Sequence, residues 1–194
     1  VTRRWTLRLV TGLAAGALVL SGCSERQEAA DTLPEADATP SASQPELPPL
    51  GPTDLPMPAE ARTQDAAGAE AFVRYYIDLI NRTSTVMDAA PLREFSDGCL
   101  DCDRIAHVVD KDAALGHQYD GGLISITTMG EALLRETTAE MAMRADVSGL
   151  AVEDASGNAL PDLSSPAYTN LNGGAALKWD ARQDTWIMTA LTLE

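Results

Sequence analysis

The chain has 194 residues, is 45% hydrophobic and 22% charged, and carries 29 acidic side chains against 14 basic ones, a net charge of -15. Such a charge opposes the approach of phosphate backbones, so no nucleic-acid partner is expected. Two histidines and three cysteines leave little material for a metal site, and no metal or cofactor is expected. The length suits one domain with an appendage.

Arg3, Arg4 and Arg8 precede an apolar stretch from Leu9 to Leu20, which is too short to span a bilayer as a stable helix and reads as the core of a secretory signal. It ends in Leu20-Ser21-Gly22-Cys23, which resembles the bacterial lipobox. The resemblance implies that residues 1–22 are removed as a signal peptide and that Cys23 receives a diacylglyceryl group, whose two acyl chains, such as palmitate, anchor it. The protein would then be a lipoprotein on the outer, extracytoplasmic face of the cell membrane. Removing the signal takes away three arginines and no acids, so lipid rather than charge must hold the chain on an anionic membrane.

Residues 23–62 hold eight of the eleven prolines, with eight acids against Arg26 and Arg62. This composition reads as a disordered acidic tether.

The domain is expected over residues 63–194. From Ala69 to Ile80 the apolar positions Ala69, Phe72, Val73, Tyr76, Ile77, Leu79 and Ile80 cover a broad helical arc, opposite Glu70, Arg74, Asp78 and Asn81, with Thr63 or Asp65 as cap. A short helix follows over Pro91 to Phe95, where proline suits a first turn. A third runs from about Asp101 to Leu115, with Ile105, Val108, Val109 and Ala113 inward and Gly116 as its stop.

After Gly116 the period becomes two. Residues 123–128 and 139–147 alternate as strands, and Ala139, Met141, Met143, Ala145 and Val147 share one face. Asp154-Ala155-Ser156-Gly157 marks a turn. A loop with Pro161 and Pro166 leads to a hairpin of residues 175–180 and 185–193. Helices first and strands afterwards is the signature of an α+β domain.

Three N-terminal helices on a curved antiparallel sheet of about four strands resemble the nuclear transport factor 2-like, or cystatin-like, cone. More narrowly, the run Gly68-Ala69-Glu70-Ala71-Phe72-Val73-Arg74-Tyr75-Tyr76-Ile77-Asp78-Leu79-Ile80-Asn81, with Pro91-Leu92-Arg93-Glu94-Phe95-Ser96 and Cys99-Leu100-Asp101-Cys102, resembles an uncharacterised family of actinobacterial lipoproteins, a domain of unknown function. That resemblance implies an architecture and a location, and no chemistry.

Cys99 and Cys102 allow three readings. A redox dithiol needs positive surroundings, whereas Asp97, Asp101 and Asp103 crowd this pair. Zinc needs further ligands, and His107 would lie well round the helix from Cys102. A structural disulfide in an oxidising exterior is favoured. His107 is flanked by Asp103, Arg104, Asp110 and Lys111 and reads as part of a solvated face, and His117 as a residue of the helix-to-strand junction. No nucleophile elbow or phosphate loop is present, so no catalytic residue is assigned. Tyr76, Met141, Met143, Trp179 and Trp186 are the side chains that would line a cone's pocket, and the same residues serve equally as core.

The sequence thus predicts a lipid-anchored, surface-exposed lipoprotein. Its domain would be a non-catalytic binding or interaction module for an unidentified small-molecule or protein ligand. The alternative is a small-molecule enzyme of the isomerase or dehydratase type, which would need a buried acid paired with Tyr or His.

Overall fold

Helix α1 (Ala66–Val86) is the spine around which the other elements pack, and its wide apolar arc explains why. Phe72, Val73, Tyr75, Tyr76, Ile77, Leu79 and Ile80 are all buried, so the helix must be covered on several sides at once. Asp65 starts it, accepting the Gly68 backbone N–H on Oδ1 at 2.7 Å. Thr63 does not cap; its hydroxyl donates to Asp65 Oδ1 instead.

The computed structural model describes residues 47–194. Cys23, the signal and the first part of the tether lie outside the described residues. The compact unit of the described residues runs from Leu47 to Glu194. Proline-rich composition concealed a packed strap in which Leu50 and Leu55 rest on the core and Met57 is buried. A short 3-10 turn (Ala59–Arg62) completes the strap. The Arg62 guanidinium donates to the Pro48 and Gln183 carbonyls, tying it to the far end of the chain.

Helix α2 (Ala90–Glu94) has Pro91 in its first turn, and α3 spans Leu100–Ala114. The inward face of α3 is Cys102, Ala106, Val109 and Asp112. Ile105 rests partly buried on the core, whereas Val108 is 43% exposed, so the expected inward set was rotated. A disulfide holds the first turn of this helix and the buried Asp112 holds its last.

Seven strands follow: β1 (Gln118–Gly121), β2 (Ile124–Met129), β3 (Leu133–Arg135), β4 (Thr138–Val147), β5 (Leu150–Glu153), β6 (Tyr168–Asp180) and β7 (Thr185–Leu193). They are more than the four expected, because β1, β3 and β5 are short and β6 begins seven residues early. The main sheet is antiparallel in the order β2-β4-β6-β7, with β3 following β2 along the same edge of β4. β1 and β5 pair separately. The architecture is α+β, three helices packed on an antiparallel sheet.

Register decides which side chains meet the helices. Ala139, Met141, Met143 and Ala145 of β4 point inward, as their alternation demanded. Between Ala176 and Leu177 the β6–β7 pairing slips, so that Ala176 pairs with Ala190 and Leu177 with Met188. That bulge lets Met188 and Leu191, three residues apart, both face the core. At the opposite end, the Asn81 amide donates to the Ile124 carbonyl and accepts from the Ile124 N–H, fastening α1 to the start of β2.

Candidate functional site

The space between α1 and the sheet, where a pocket was expected, is filled. Tyr76 and Trp186 are fully buried, and Met141 and Met143 nearly so. Tyr76 donates its hydroxyl to the Leu92 carbonyl at 3.1 Å, and burial pushes its pKa up to about 12. Trp186 donates Nε1–H to the Thr63 carbonyl at 2.9 Å. These four side chains are core, the packing role that the sequence held open beside that of pocket walls. The reason is their size: each is long or aromatic, and together they close the volume that smaller side chains would have left. Trp179 alone of the five is only partly buried, its ring edge-on to Trp186 at 5.3 Å.

A broad opening lies on the other face of the sheet. Glu140, Ala176 and Ala190 form one cross-strand row there, and Ala142, Gly174 and Thr192 the next. Small side chains in both rows leave a trough of about 540 Å³, with Glu131 and Leu133 along one side. Its floor is methyl groups and backbone, and its charged groups are Glu131 and Glu140. Such a surface offers shape and apolar area for a partner.

Cys99 and Cys102 are bonded, their Cα atoms 5.2 Å apart. Cys99 also serves as the N-cap of α3, its sulfur accepting the Cys102 N–H at 3.3 Å. Both cysteines are 1% exposed, which suits a structural bond rather than an exchanging one. His107 is exposed on α3, as its charged neighbours implied.

One constellation escaped the sequence reading. Asp112, 5% exposed, accepts the Tyr119 hydroxyl on Oδ2 at 2.5 Å, and its Oδ1 lies 3.4 Å from His117 Nδ1. Burial, and then the Asp112 hydrogen bond, raise the Tyr119 pKa. The backbone carbonyl of Asp112 accepts the His117 N–H at 2.9 Å, so one residue ties both backbone and side chain of the α3–β1 turn. The trio sits beside Ala89, Ala106 and Val109, a small cluster apart from the main core. In sequence the spacing of Asp112, His117 and Tyr119 crosses the end of a helix, and no helical or strand period reveals it. Among the described residues no three His, Cys, Asp or Glu side chains gather as a metal site would require.

No protein-family model matches the chain, and no curated protein matches it. Solved structures are similar in outline. The intermembrane space region of the chloroplast protein ARC6 aligns with a TM-score of 0.49 and 16% identity, covering 68% of this chain and 97% of that one. Rd1NTF2_05 gives 0.40 and 11%, covering 66% and 96%. Aln2 from a Streptomyces species gives 0.40 and 13%, covering 68% and 93%. Likeness at this level carries no activity from one chain to another.

Proposed function

We propose that this protein is a lipoprotein anchored by lipid on the extracytoplasmic face of the cell membrane, whose domain binds a small-molecule or protein ligand without transforming it. Cys23 carries the lipid, and the proline-rich segment after it sets the domain off from the bilayer. The observation that supports a binding role is the exchange of surfaces just described. The space between α1 and the sheet is packed with Tyr76, Met141, Met143 and Trp186, while a broad apolar trough lies on the outside. Tyr76, the tyrosine best placed in the cone to carry a proton, holds it far above neutral pH.

A small-molecule enzyme is the second reading, and the buried Asp112 with Tyr119 and His117 is the observation in its favour. These residues anchor the end of α3 outside the cone, where they explain themselves as a structural lock. Membrane fractionation tests the anchor. The wild-type chain should partition with membranes and Cys23→Ala should not, and equal partitioning of the two would refute lipidation. Turnover of any compound that vanishes in Asp112→Asn while the fold persists would replace the binding reading with the enzymatic one.

A further inference from the structure

A second concavity, of about 400 Å³, opens beside the β6–β7 turn. One wall comes from the end of α2 and the residues after it, with Glu94 and Asp97. The other comes from the hairpin, with Lys178, Asp180, Arg182 and the partly buried indole of Trp179. The two walls are held together by backbone: the Met188 N–H donates to the Phe95 carbonyl and the Asp97 N–H to the Met188 carbonyl, at 2.9 and 3.0 Å. This is a built cleft between two braced segments, not a fold in a loose loop.

Its charges are arranged unusually. Acids and bases face the same space, yet among the described residues neither Lys178 nor Arg182 forms an ion pair with any carboxylate. The neutral groups lean one way. Ser96 and Thr189 spend their hydroxyl protons on the Leu92 and Ala176 carbonyls, leaving oxygen lone pairs toward other donors. Gln183 Oε1 is buried without a donor. The cleft therefore offers acceptors to N–H groups, cations to an anion, and an aromatic face.

We propose that this cleft binds a compact zwitterion of the amino-acid class, its ammonium toward Glu94 and Asp97, its carboxylate toward Lys178 and Arg182, and its apolar part against Trp179. The site is separate from the outer trough and does not depend on it. A ligand carrying both charges meets the acids and the bases of the cleft at once, whereas one carrying a single charge leaves the opposite set unmatched.

The test uses the full chain and three probes of one shape: phenylalanine, 3-phenylpropanoate and phenethylamine. The reporter is the Trp179 indole N–H resonance, assigned with Trp179→Phe, and the buried Trp186 resonance is the internal control. Phenylalanine should shift the Trp179 signal saturably and bind about tenfold more tightly than either singly charged analogue. Arg182→Gln should weaken phenylalanine and 3-phenylpropanoate and spare phenethylamine, and Asp97→Asn should do the reverse. Both residues are exposed, so neither variant endangers the fold. No saturation by about 10 mM phenylalanine, equal binding of all three probes, or indifference to both substitutions would overturn the proposal.

Discussion

Gly173 and Gly174 are neighbours on β6 with opposite fates, and substituting each by alanine tests the register on which the outer trough depends. At Gly173 a Cβ would point inward, 2.6 Å from the Thr192 carbonyl oxygen and 2.7 Å from Leu193 Cδ2. A leucine methyl can swing away, but a carbonyl in the paired strand cannot move without shifting β7. Overpacking of this kind costs about 1–3 kcal/mol, offset in part by the smaller entropy of the unfolded alanine chain. A net loss of about 1–2 kcal/mol is expected for Gly173→Ala. At Gly174 the nearest atoms would be the Met141 carbonyl at 3.5 Å and Thr192 Oγ1 at 3.7 Å, which is ordinary contact. Alanine there should stabilise by about 0.4–1 kcal/mol. The two variants should therefore move apart on either side of the wild type in urea unfolding, by about 1 M in midpoint at unchanged slope. If Gly173→Ala is neutral, or if the two fall equally, the assignment of Gly173 to the core face and Gly174 to the trough is wrong. The sequence of signs matters for function as well: a glycine that the fold does not need at the trough's floor is a glycine that keeps the floor low.

Replacing both Cys99 and Cys102 by serine should cost about 2 kcal/mol by loop entropy, read in urea unfolding, and a loss below the error of the fit would deny the bond a stabilising role. Asp78 gives a test in pH. Desolvation by burial raises its pKa above the ordinary 3.8, so the folded state holds its proton more tightly than the unfolded chain does. Its charge opposes folding at neutral pH, and that opposition fades as pH falls through the folded pKa toward 3.8. Asp78→Asn should thus be slightly more stable than wild type at pH 7 and equal to it below 3.8, by a modest amount because Asp78 remains exposed. A variant less stable at pH 7 would reverse the sign and the reasoning.

The parts of the fold that could be read from sequence are those where one period runs long enough to count. The arc of α1 and the alternation of β4 named their buried residues almost without error, because each pattern spans several repeats of 3.6 or 2. Residues 47–58 were concealed because proline and acid content hides three well-spaced anchors, Leu50, Leu55 and Met57. The start of β6 was concealed because Gly173 and Gly174 read as a break in a strand that runs straight through them. Val108 was misplaced because a helix pinned at Cys102 and Asp112 turns the face between them, and a buried aspartate carries no apolar signal. For the site, the sequence supplied the side chains and left their role open. Tyr76, Met141, Met143 and Trp186 do meet between α1 and the sheet, but whether they surround a void or fill it depends on distances that no period encodes.

The Arg62 guanidinium has a mechanical meaning. Its Nη1 holds the Pro48 carbonyl, its Nη2 the Gln183 carbonyl at 2.8 Å and its Nε the Asp184 carbonyl at 3.5 Å. A pull on the chain at Leu47 therefore does not unwind α1 first. It loads this three-way clamp, which shares the force between the strap and the β6–β7 turn in shear. The turn is also the rim of the charged cleft, so tension entering at Leu47 is felt where that cleft opens.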